Sequence, residues 1–167
     1  CLRLSAMPSR AEDRLRRPAT LKGAPVSTKR PSWEREGRDW PNRETSRFVR
    51  AGALRWHVQE MGPPDAPLAL LVHGTGAATH SWRALAPILA QRFRVIAPDM
   101  PGHGFTDTPR SGGLSLPAMA NALYELLKTL EAKPALVVGH SAGVAILAKL
   151  CLDGRLAPQG LVSLNGA

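Results

Sequence analysis

The residues best suited to carry chemistry are Gly139-His140-Ser141-Ala142-Gly143, in which a glycine lies two positions before the serine and another two after it. An apolar run precedes this pentapeptide, and a helical pattern of small and apolar residues follows it. A serine at a sharp strand-to-helix turn projects its hydroxyl from the chain, and the flanking glycines let the strand and helix approach closely. The spacing therefore predicts that Ser141 is the nucleophile of an acyl-transfer reaction.

A second stretch offers groups that could stabilise negative charge. His73-Gly74-Thr75-Gly76 comes directly after the apolar run 68–72. Backbone N–H groups of a loop in this position, together with the N–H of the residue after the nucleophile, can bind a developing oxyanion. The predicted donors are the N–H groups of Thr75 and Ala142, with Gly76 as the alternative to Thr75. We expect His73 to be a structural histidine that bonds backbone groups.

A third stretch, Asp99-Met100-Pro101-Gly102-His103-Gly104, follows another apolar run and contains titratable groups. Its Pro and Gly residues are typical of a tight connection between elements. We expect Asp99 to accept hydrogen bonds from N–H groups of this loop. His103 and Asp107 are interpreted as residues that stabilise the turn, although either could be mistaken for a catalytic group.

A serine nucleophile needs a histidine base and an acid that orients it, in the chain order Ser, acid, His for this kind of turn. The only acid after Ser141 is Asp153, in a Leu-Asp-Gly-Arg sequence that indicates a helix end, and all five histidines precede Ser141. We therefore expect an N-terminal piece of a longer product, with the base and acid in residues that follow it. On its own, such a piece is predicted to dissolve poorly and to lack esterase activity, since a strand edge would be uncovered.

The elements that must position these residues follow from the hydrophobic pattern. Short unbroken apolar runs predict strands buried on both faces, and spacing near 3.6 residues predicts helices. Alternation around Ala51-Gly52-Ala53 predicts a β-hairpin. The predicted strands are Leu68–Val72, Phe93–Ala97, Ala135–Val138 and Gly160–Leu164, and the predicted helices are His80–Arg92, Leu116–Leu130 and Ala142–Leu152. This order predicts an α/β fold with a mostly parallel sheet and an antiparallel N-terminal hairpin.

The charge of the chain is concentrated in its first part. The formal net charge is +9, but the first 50 residues hold more than half of the 22 Lys and Arg residues. Residues 1–31 show neither the helical nor the strand period of apolar residues, so we interpret them as a disordered basic tail, whether or not it belongs to the native protein. Residues 32–167 are interpreted as part of one domain. The distribution argues against a nucleic-acid partner. Trp33 and Trp40 are expected to pack on the domain surface, with a partner site as the sharper alternative.

Cysteine usage and hydropathy indicate the compartment. Cys1 and Cys151 form neither a disulfide framework nor a metal-binding spacing, and Cys151 falls in an apolar helical pattern that predicts a buried thiol. No apolar run reaches the ~20 residues of a membrane span, and the start of the chain lacks the apolar core of a signal peptide. The sequence predicts a cytoplasmic protein with no transmembrane segment, no metal and no cofactor.

Taken in order, the hairpin, the HGTG loop, the PGHG loop and the GHSAG turn resemble the α/β-hydrolase superfamily from about Phe48 to Ala167. Against that family, the sequence stops just past the sixth strand, so the expected fold is a truncated α/β-hydrolase. A narrower similarity rests on WEREGRDWPNRETSRFVRAGALRWHVQEMG, LLVHGTGAATHSWR, PDMPGHGFTDTP, LSLPAMA and LVVGHSAGVAILA. These segments look like the magnesium chelatase accessory proteins of bacteriochlorophyll biosynthesis, a branch of the α/β-hydrolases.

The narrower resemblance implies a role in photosynthetic pigment synthesis, near the insertion of Mg²⁺ into a porphyrin. It implies a small-molecule substrate such as a porphyrin intermediate, magnesium chelatase subunits as partners, and loose membrane association as an alternative to a purely cytoplasmic location. Two other functions stay open at this point. One is a general serine esterase outside pigment synthesis, and the other is a non-catalytic accessory protein that binds a porphyrin or the chelatase.

Overall fold

The structure, a computed structural model, describes residues 31–110 and 112–166. The tail predicted over residues 1–31 lies, apart from Pro31, outside the described residues. Two short 3-10 turns span Arg43–Thr45 and Thr79–Trp82. The strands are β1 (Ser46–Ala51), β2 (Leu54–Met61), β3 (Leu68–Val72), β4 (Arg94–Pro98), β5 (Leu136–His140) and β6 (Gly160–Leu164), and the helices are α1 (Leu85–Leu89), α2 (Leu116–Thr129) and α3 (Ala142–Leu152).

The six strands form one sheet in the order β1-β2-β4-β3-β5-β6. Strand β2 pairs antiparallel with both β1 and β4, whereas the pairs β4–β3, β3–β5 and β5–β6 are parallel. The predicted fold class, a mostly parallel sheet with an antiparallel N-terminal hairpin, is therefore confirmed. Because parallel strands end at the same edge, the residues that follow β3, β4 and β5 meet there.

Alternate residues of the central strands pack into two separate apolar layers, as the period of a strand requires. Leu70, Val72, Ile96 and Val137 face α2 and α3, and this layer is the larger of the two. Their neighbours along the strands face α1 and the turn before it, where Trp82 and Ala86 are buried. The central strands β3, β4 and β5 are thus covered on both faces, which explains their unbroken apolar sequences.

Strand β2 alternates buried apolar residues with buried polar ones, and the polar residues show which segment covers that face of the strand. Trp56 and Val58 lie in the larger apolar layer, whereas His57 and Gln59 are equally buried on the other face. That face is covered by residues 32–45, which we call the tryptophan strap. Trp33 lies with its ring centroid 5.0 Å from that of His57, and Gln59 Nε2 donates to the carbonyl of Pro41 at 2.6 Å. Trp33 and Trp40 are both partly buried, so the prediction that they pack on the domain surface is confirmed.

Two local predictions are wrong. The helix expected over His80–Arg92 is instead a 3-10 turn followed by the five-residue helix α1. Pro87 explains the break, because it has no N–H to donate to the carbonyl of Arg83 and its ring would crowd that carbonyl. Cys151, expected to be buried, is partly exposed on α3, and its partial burial raises the pKa of its thiol.

Strand β6 differs from the other parallel strands because it pairs only with β5 among the described residues. Its residues after Gly160 are all exposed, and Leu161 and Val162 each keep 41% of their surface accessible. On the neighbouring helix α3, the side chain of Leu152 is 87% exposed. One end of the sheet therefore presents apolar side chains and an unpaired backbone edge.

Candidate active site

Ser141 links the end of β5 to the start of α3 in a backbone conformation that residues other than glycine rarely adopt. Its φ is 50° and its ψ is −122°, and it occupies the position directly before the first turn of the helix. Its N–H donates to the carbonyl of Leu164 in β6 at 2.9 Å. Such a conformation costs about 1–3 kcal/mol and persists only where the surrounding structure holds it.

The two flanking glycines are required by close backbone contacts. A Cβ atom on Gly139 would lie 2.7 Å from the Cα of Val144, and one on Gly143 would lie 2.2 Å from the carbonyl oxygen of Val72. Both distances are far inside van der Waals contact, and both partners are backbone atoms, which cannot rotate away. The glycine spacing therefore serves the close approach of helix α3 to strands β3 and β5.

Gly74 brings the loop after β3 against the same turn. A Cβ atom on Gly74 would lie 2.9 Å from the Cβ of Ser141 and 3.0 Å from the carbonyl oxygen of His140. Thr75, the next residue, and Ala142, the first residue of α3, line one small cavity of about 20 Å³. The structure thus brings the serine and both predicted donor residues together. Gly76, the alternative donor, is exposed with a φ of 74°.

The other walls of this cavity are mostly apolar. They are formed by His73, Gly74, Met100, His103, Met119 and Ile146. Met100 is almost fully buried and Met119 nearly so. A ligand that reached Ser141 through this space would meet thioether and hydrocarbon surface, with imidazole rings as the polar side chains.

His73 uses both ring nitrogens for backbone contacts. Its Nδ1 lies 2.7 Å from the carbonyl oxygen of Gly74, and the N–H of Met100 donates to its Nε2 at 2.8 Å. Burial lowers the pKa of His73, which favours the neutral ring with its proton on Nδ1. The prediction of a structural histidine is confirmed, and its Nε2 is not free to act as a base.

Asp99 lies at the end of β4 and is completely buried. Its Oδ1 accepts the N–H of Thr79 at 2.7 Å, and its Oδ2 accepts the N–H of Phe105 at 2.9 Å and lies 2.8 Å from His57 Nδ1. Burial alone would raise the pKa of Asp99, but the hydrogen bond and charge of His57 and the two backbone donors outweigh it and lower the pKa. The expected role in bonding loop N–H groups is confirmed.

His57 is the buried partner of Asp99 that the sequence did not reveal. Its fully buried ring lies among aromatic side chains, with centroids 5.4 Å from those of Phe48 and Phe105. The available signal was a polar residue inside the strand pattern of β2, two positions before Gln59 and therefore on the same face of the strand. Such a signal identifies a covered face but not the residue that covers it.

His103 and Asp107 stabilise the PGHG loop, as expected. The Nδ1 of His103 lies 3.1 Å from the carbonyl oxygen of Pro101, and its ring centroid lies 5.2 Å from that of His73. Asp107 pairs with Arg55 through its backbone N–H and its Oδ2, each at 2.9 Å, and its carbonyl accepts the N–H of Gly102. Both residues therefore connect the loop to its neighbours.

Asp153 lies at the far end of α3 from Ser141. Its carboxylate pairs with Lys149, with Nζ–Oδ1 and Nζ–Oδ2 distances of 2.6 and 2.8 Å. A helix rises about 1.5 Å per residue, so Asp153 lies about 18 Å from Ser141 along the helix axis. Since no histidine follows Ser141 in the sequence, the turn has a candidate nucleophile and candidate oxyanion donors but neither of the groups that would activate it.

Within residues 31–110 and 112–166, no cluster of three or more His, Cys, Asp or Glu side chains has the arrangement of a metal site. Over the same ranges, no helix combines the length and the apolar character that crossing a bilayer requires.

Comparison with known proteins identifies relatives over most of the described chain. Similarity is high to the magnesium-chelatase 30 kDa subunit of Rhodobacter capsulatus, with 44% identity over 129 residues, which are 77% of this chain and 45% of that protein. The 2-hydroxy-6-oxo-2,4-heptadienoate hydrolase of Pseudomonas putida is 35% identical over 108 residues, which are 63% of this chain and 38% of that protein. The chain thus spans less than half the length of these curated relatives.

A solved alpha/beta hydrolase fold protein from Burkholderia ambifaria superposes with a TM-score of 0.65 at 30% identity, covering 74% of this chain and 44% of that one. Cfl2 of Burkholderia cenocepacia superposes with a TM-score of 0.68 at 27% identity, covering 73% and 41% of the two chains. The sequence model of the alpha/beta hydrolase fold family matches residues 67–166, which contain β3 to β6 and all the candidate site residues. The chain therefore belongs to the alpha/beta hydrolase fold family.

Proposed function

We propose that this chain supplies the nucleophile and the oxyanion donors of a serine hydrolase that acts on an ester or related acyl bond. The observation that carries the proposal is the strained conformation of Ser141 at the start of α3, with Gly74 packed against it. Strain of this kind, held in place by close backbone contacts, is typical of functional positions.

In the proposed reaction, the hydroxyl oxygen of Ser141 attacks the acyl carbon while a base takes the hydroxyl proton, and negative charge develops on the former carbonyl oxygen. The ester C–O bond then breaks, the leaving alcohol takes that proton, and water hydrolyses the acyl-enzyme to release the acid and free Ser141. Ala142 is the first residue of α3, so its N–H has no acceptor within the helix. This N–H belongs to the N-terminal end of the helix, which is the positive end of the helix dipole. The N–H of Thr75 is the second proposed donor. Loss of one such donor lowers kcat about 10²- to 10³-fold in serine hydrolases.

The proposal needs a base and an acid, and we assign both to residues beyond this sequence. His73 is unsuitable because both of its ring nitrogens are engaged with backbone groups, and Asp153 is paired with Lys149 at the far end of α3. The length of the relatives supports this assignment, because residues 32–167 would then be the N-terminal part of a single, larger hydrolase domain.

For the biological role, we propose a magnesium chelatase accessory protein of bacteriochlorophyll biosynthesis. The similarity to the chelatase 30 kDa subunit extends over 129 residues, which are 77% of this chain, and supports this choice over a general esterase. The substrate would be a small molecule such as a porphyrin intermediate, and the partners would be chelatase subunits. We place such a protein in the cytoplasm, with loose membrane attachment as the alternative because these intermediates are apolar.

A non-catalytic accessory protein is the second candidate, and one observation favours it. The cavity beside Thr75 and Ala142 has a volume of only about 20 Å³, too little for an acyl substrate unless other residues enlarge it. In this alternative the fold binds a porphyrin or the chelatase and Ser141 has no chemical role. A general serine hydrolase outside pigment synthesis is the third candidate, supported by the similarity to the heptadienoate hydrolase.

Labelling of the full-length protein with a fluorophosphonate probe tests the proposal. We expect covalent labelling of the wild type, complete loss of labelling in Ser141→Ala, and hydrolysis of p-nitrophenyl esters with the same dependence on Ser141. A folded wild type that resists the probe, while it copurifies with chelatase subunits equally well with and without Ser141→Ala, would contradict the hydrolase and support the second candidate.

A further inference from the structure

We propose that the tryptophan strap positions the candidate oxyanion loop, residues 74–79, and that Trp40 is the positioning residue. This inference rests on the proposed function, because the loop contains the donor residue Thr75. It adds a role to a segment that precedes the first strand and lies outside the matched hydrolase region, which begins at residue 67.

The strap is bonded directly to the far end of this loop. The indole Nε1–H of Trp40 donates to the hydroxyl oxygen of Thr79 at 2.9 Å. The N–H of Thr79 in turn donates to Asp99 Oδ1 at 2.7 Å, and Thr79 is completely buried. Just beyond the loop, Asn42 Nδ2 of the strap donates to the carbonyl of Arg83 at 3.3 Å.

The near end of the loop is held by different residues. Gly74 packs against Ser141, and its carbonyl oxygen lies 2.7 Å from His73 Nδ1. Between the two ends, Thr75 and Gly76 are exposed, and a Cβ atom on Gly76 would contact nothing within 4 Å. Across this part, the N–H of Ala77 donates to the carbonyl of Gly74 at 3.3 Å, which is long for a backbone hydrogen bond. The direction of the Thr75 N–H therefore depends on how firmly both ends are fixed.

The strap is itself held by hydrogen bonds and aromatic packing, so we infer that it is the fixed side of this contact. Buried Gln59 donates from Nε2 to the carbonyls of Pro41 and Asn42, at 2.6 and 3.1 Å. The ring of Trp40 packs edge-on against that of Phe105 with a centroid distance of 4.8 Å. Phe105 donates its N–H to the same Asp99 carboxylate that holds Thr79. Strap, loop and carboxylate thus form one connected network.

Loss of the indole N–H would remove one hydrogen bond from this network and leave most of the aromatic packing in place. In Trp40→Phe the aromatic packing on Phe105 is largely kept, but the buried hydroxyl of Thr79 loses its donor. Thr79 itself is then held through its N–H bond to Asp99 without the bond from the strap. Because oxyanion donors act in the transition state, their misplacement lowers kcat and leaves KM nearly unchanged.

We test the inference in the full-length protein with four variants, using p-nitrophenyl ester hydrolysis and the rate of fluorophosphonate labelling. Trp40→Phe and Thr79→Val should each lower kcat about 5- to 20-fold with less than a two-fold change in KM, since small misplacements are costly in catalysis. The double variant should be no worse than either single variant, because both remove the same hydrogen bond. Thr79→Ser, which keeps the hydroxyl, should restore kcat to within about two-fold of the wild type.

Trp33→Phe is the matched control, since Trp33 belongs to the same strap and its ring packs on those of Phe48, His57 and Phe105, none of which belongs to the loop 74–79. It should leave kcat within about two-fold of the wild type. Equal losses in Trp33→Phe and Trp40→Phe would overturn the inference, because they would indicate general damage to the strap.

Amide hydrogen exchange separates this inference from the proposed function. We expect the amides of residues 75–79 to exchange faster in Trp40→Phe than in the wild type, while those of β5 and α3 are unchanged. If the wild type is neither labelled nor hydrolytic but this local acceleration is seen, the positioning role stands and the hydrolase proposal fails. If the wild type is active and Trp40→Phe matches it in kcat and in exchange, the positioning role is wrong.

Discussion

At the scale of single residues, the geometry around Ser141 depends on three neighbouring glycines, which have no Cβ atom. Gly74, Gly139 and Gly143 each leave a place where a Cβ atom would meet a neighbour at less than 3.0 Å. The serine reaches its unusual φ of 50° because strand and helix converge through those places. A methyl group at any of them would act on the serine by moving the backbone around it.

Gly143→Ala tests this packing. Alanine normally stabilises a helix by about 1 kcal/mol relative to glycine, but here its Cβ would lie 2.2 Å from the carbonyl oxygen of Val72. We expect the clash to prevail and to lower the free energy of unfolding by about 2–3 kcal/mol in urea denaturation of the full-length protein. Gly160→Ala is the control, since its nearest neighbour is the flexible Leu136 side chain at 3.5 Å. A neutral Gly143→Ala would show that α3 can shift away from β3.

At the scale of elements, Asp99 joins parts of the chain that are far apart in sequence. Its carboxylate bonds β2 through His57, the turn after β3 through Thr79, and its own loop through Phe105. The tryptophan strap lies over this group, so one buried carboxylate fixes three elements and their cover. Such a group should leave a signature in the pH dependence of stability.

Asp99→Asn tests that signature. Because the pKa of Asp99 is lowered in the folded protein, its charge contributes stability above the unfolded pKa of about 3.9, and this contribution is lost as the pH falls through the folded pKa. We expect the difference in free energy of unfolding between wild type and variant to be largest above about pH 5 and to shrink below about pH 4. Asp65→Asn, in an exposed loop, is the control. Parallel curves for wild type and Asp99→Asn over this pH range would contradict the assignment.

How far the sequence predicts this molecule differs between its elements. The parallel strands and the glycines around Ser141 are local patterns, so apolar runs and spacing predict them. The helical spacing of the apolar residues around Pro87 predicts a longer helix than α1, because spacing does not register the carbonyl that the proline ring crowds. The pairing of His57 with Asp99 and of Trp40 with Thr79 joins residues about 40 positions apart, and no local pattern specifies such a partner. The catalytic roles of Ser141, Thr75 and Ala142 stay predictions.

At the scale of the whole molecule, apolar surface is unevenly distributed. The sheet is well covered from β2 to β5, whereas β6 exposes Leu161, Val162 and Leu164 along an edge with no further strand among the described residues. A flat apolar edge of this kind can pair with another chain.

Val162→Lys tests the behaviour of this edge in the 167-residue chain. We expect the wild-type chain to self-associate in sedimentation velocity over a concentration series, and the charged edge of the variant to reduce that association markedly. Ile88→Lys is the matched control, because Ile88 is 63% exposed on α1, away from the edge. A wild-type chain that stays monomeric, or an equal effect of Ile88→Lys, would show that self-association does not occur through β6.

The hydrogen bond from the Ser141 N–H to the carbonyl of Leu164 has a consequence for protein synthesis. Leu164 is translated 23 residues after Ser141, and the ribosomal tunnel holds it back further. Until β6 has emerged and docked on β5, the serine lacks a contact that helps hold its strained backbone. We expect the backbone of Ser141 to reach its strained conformation late in synthesis, after the sheet beneath it has formed.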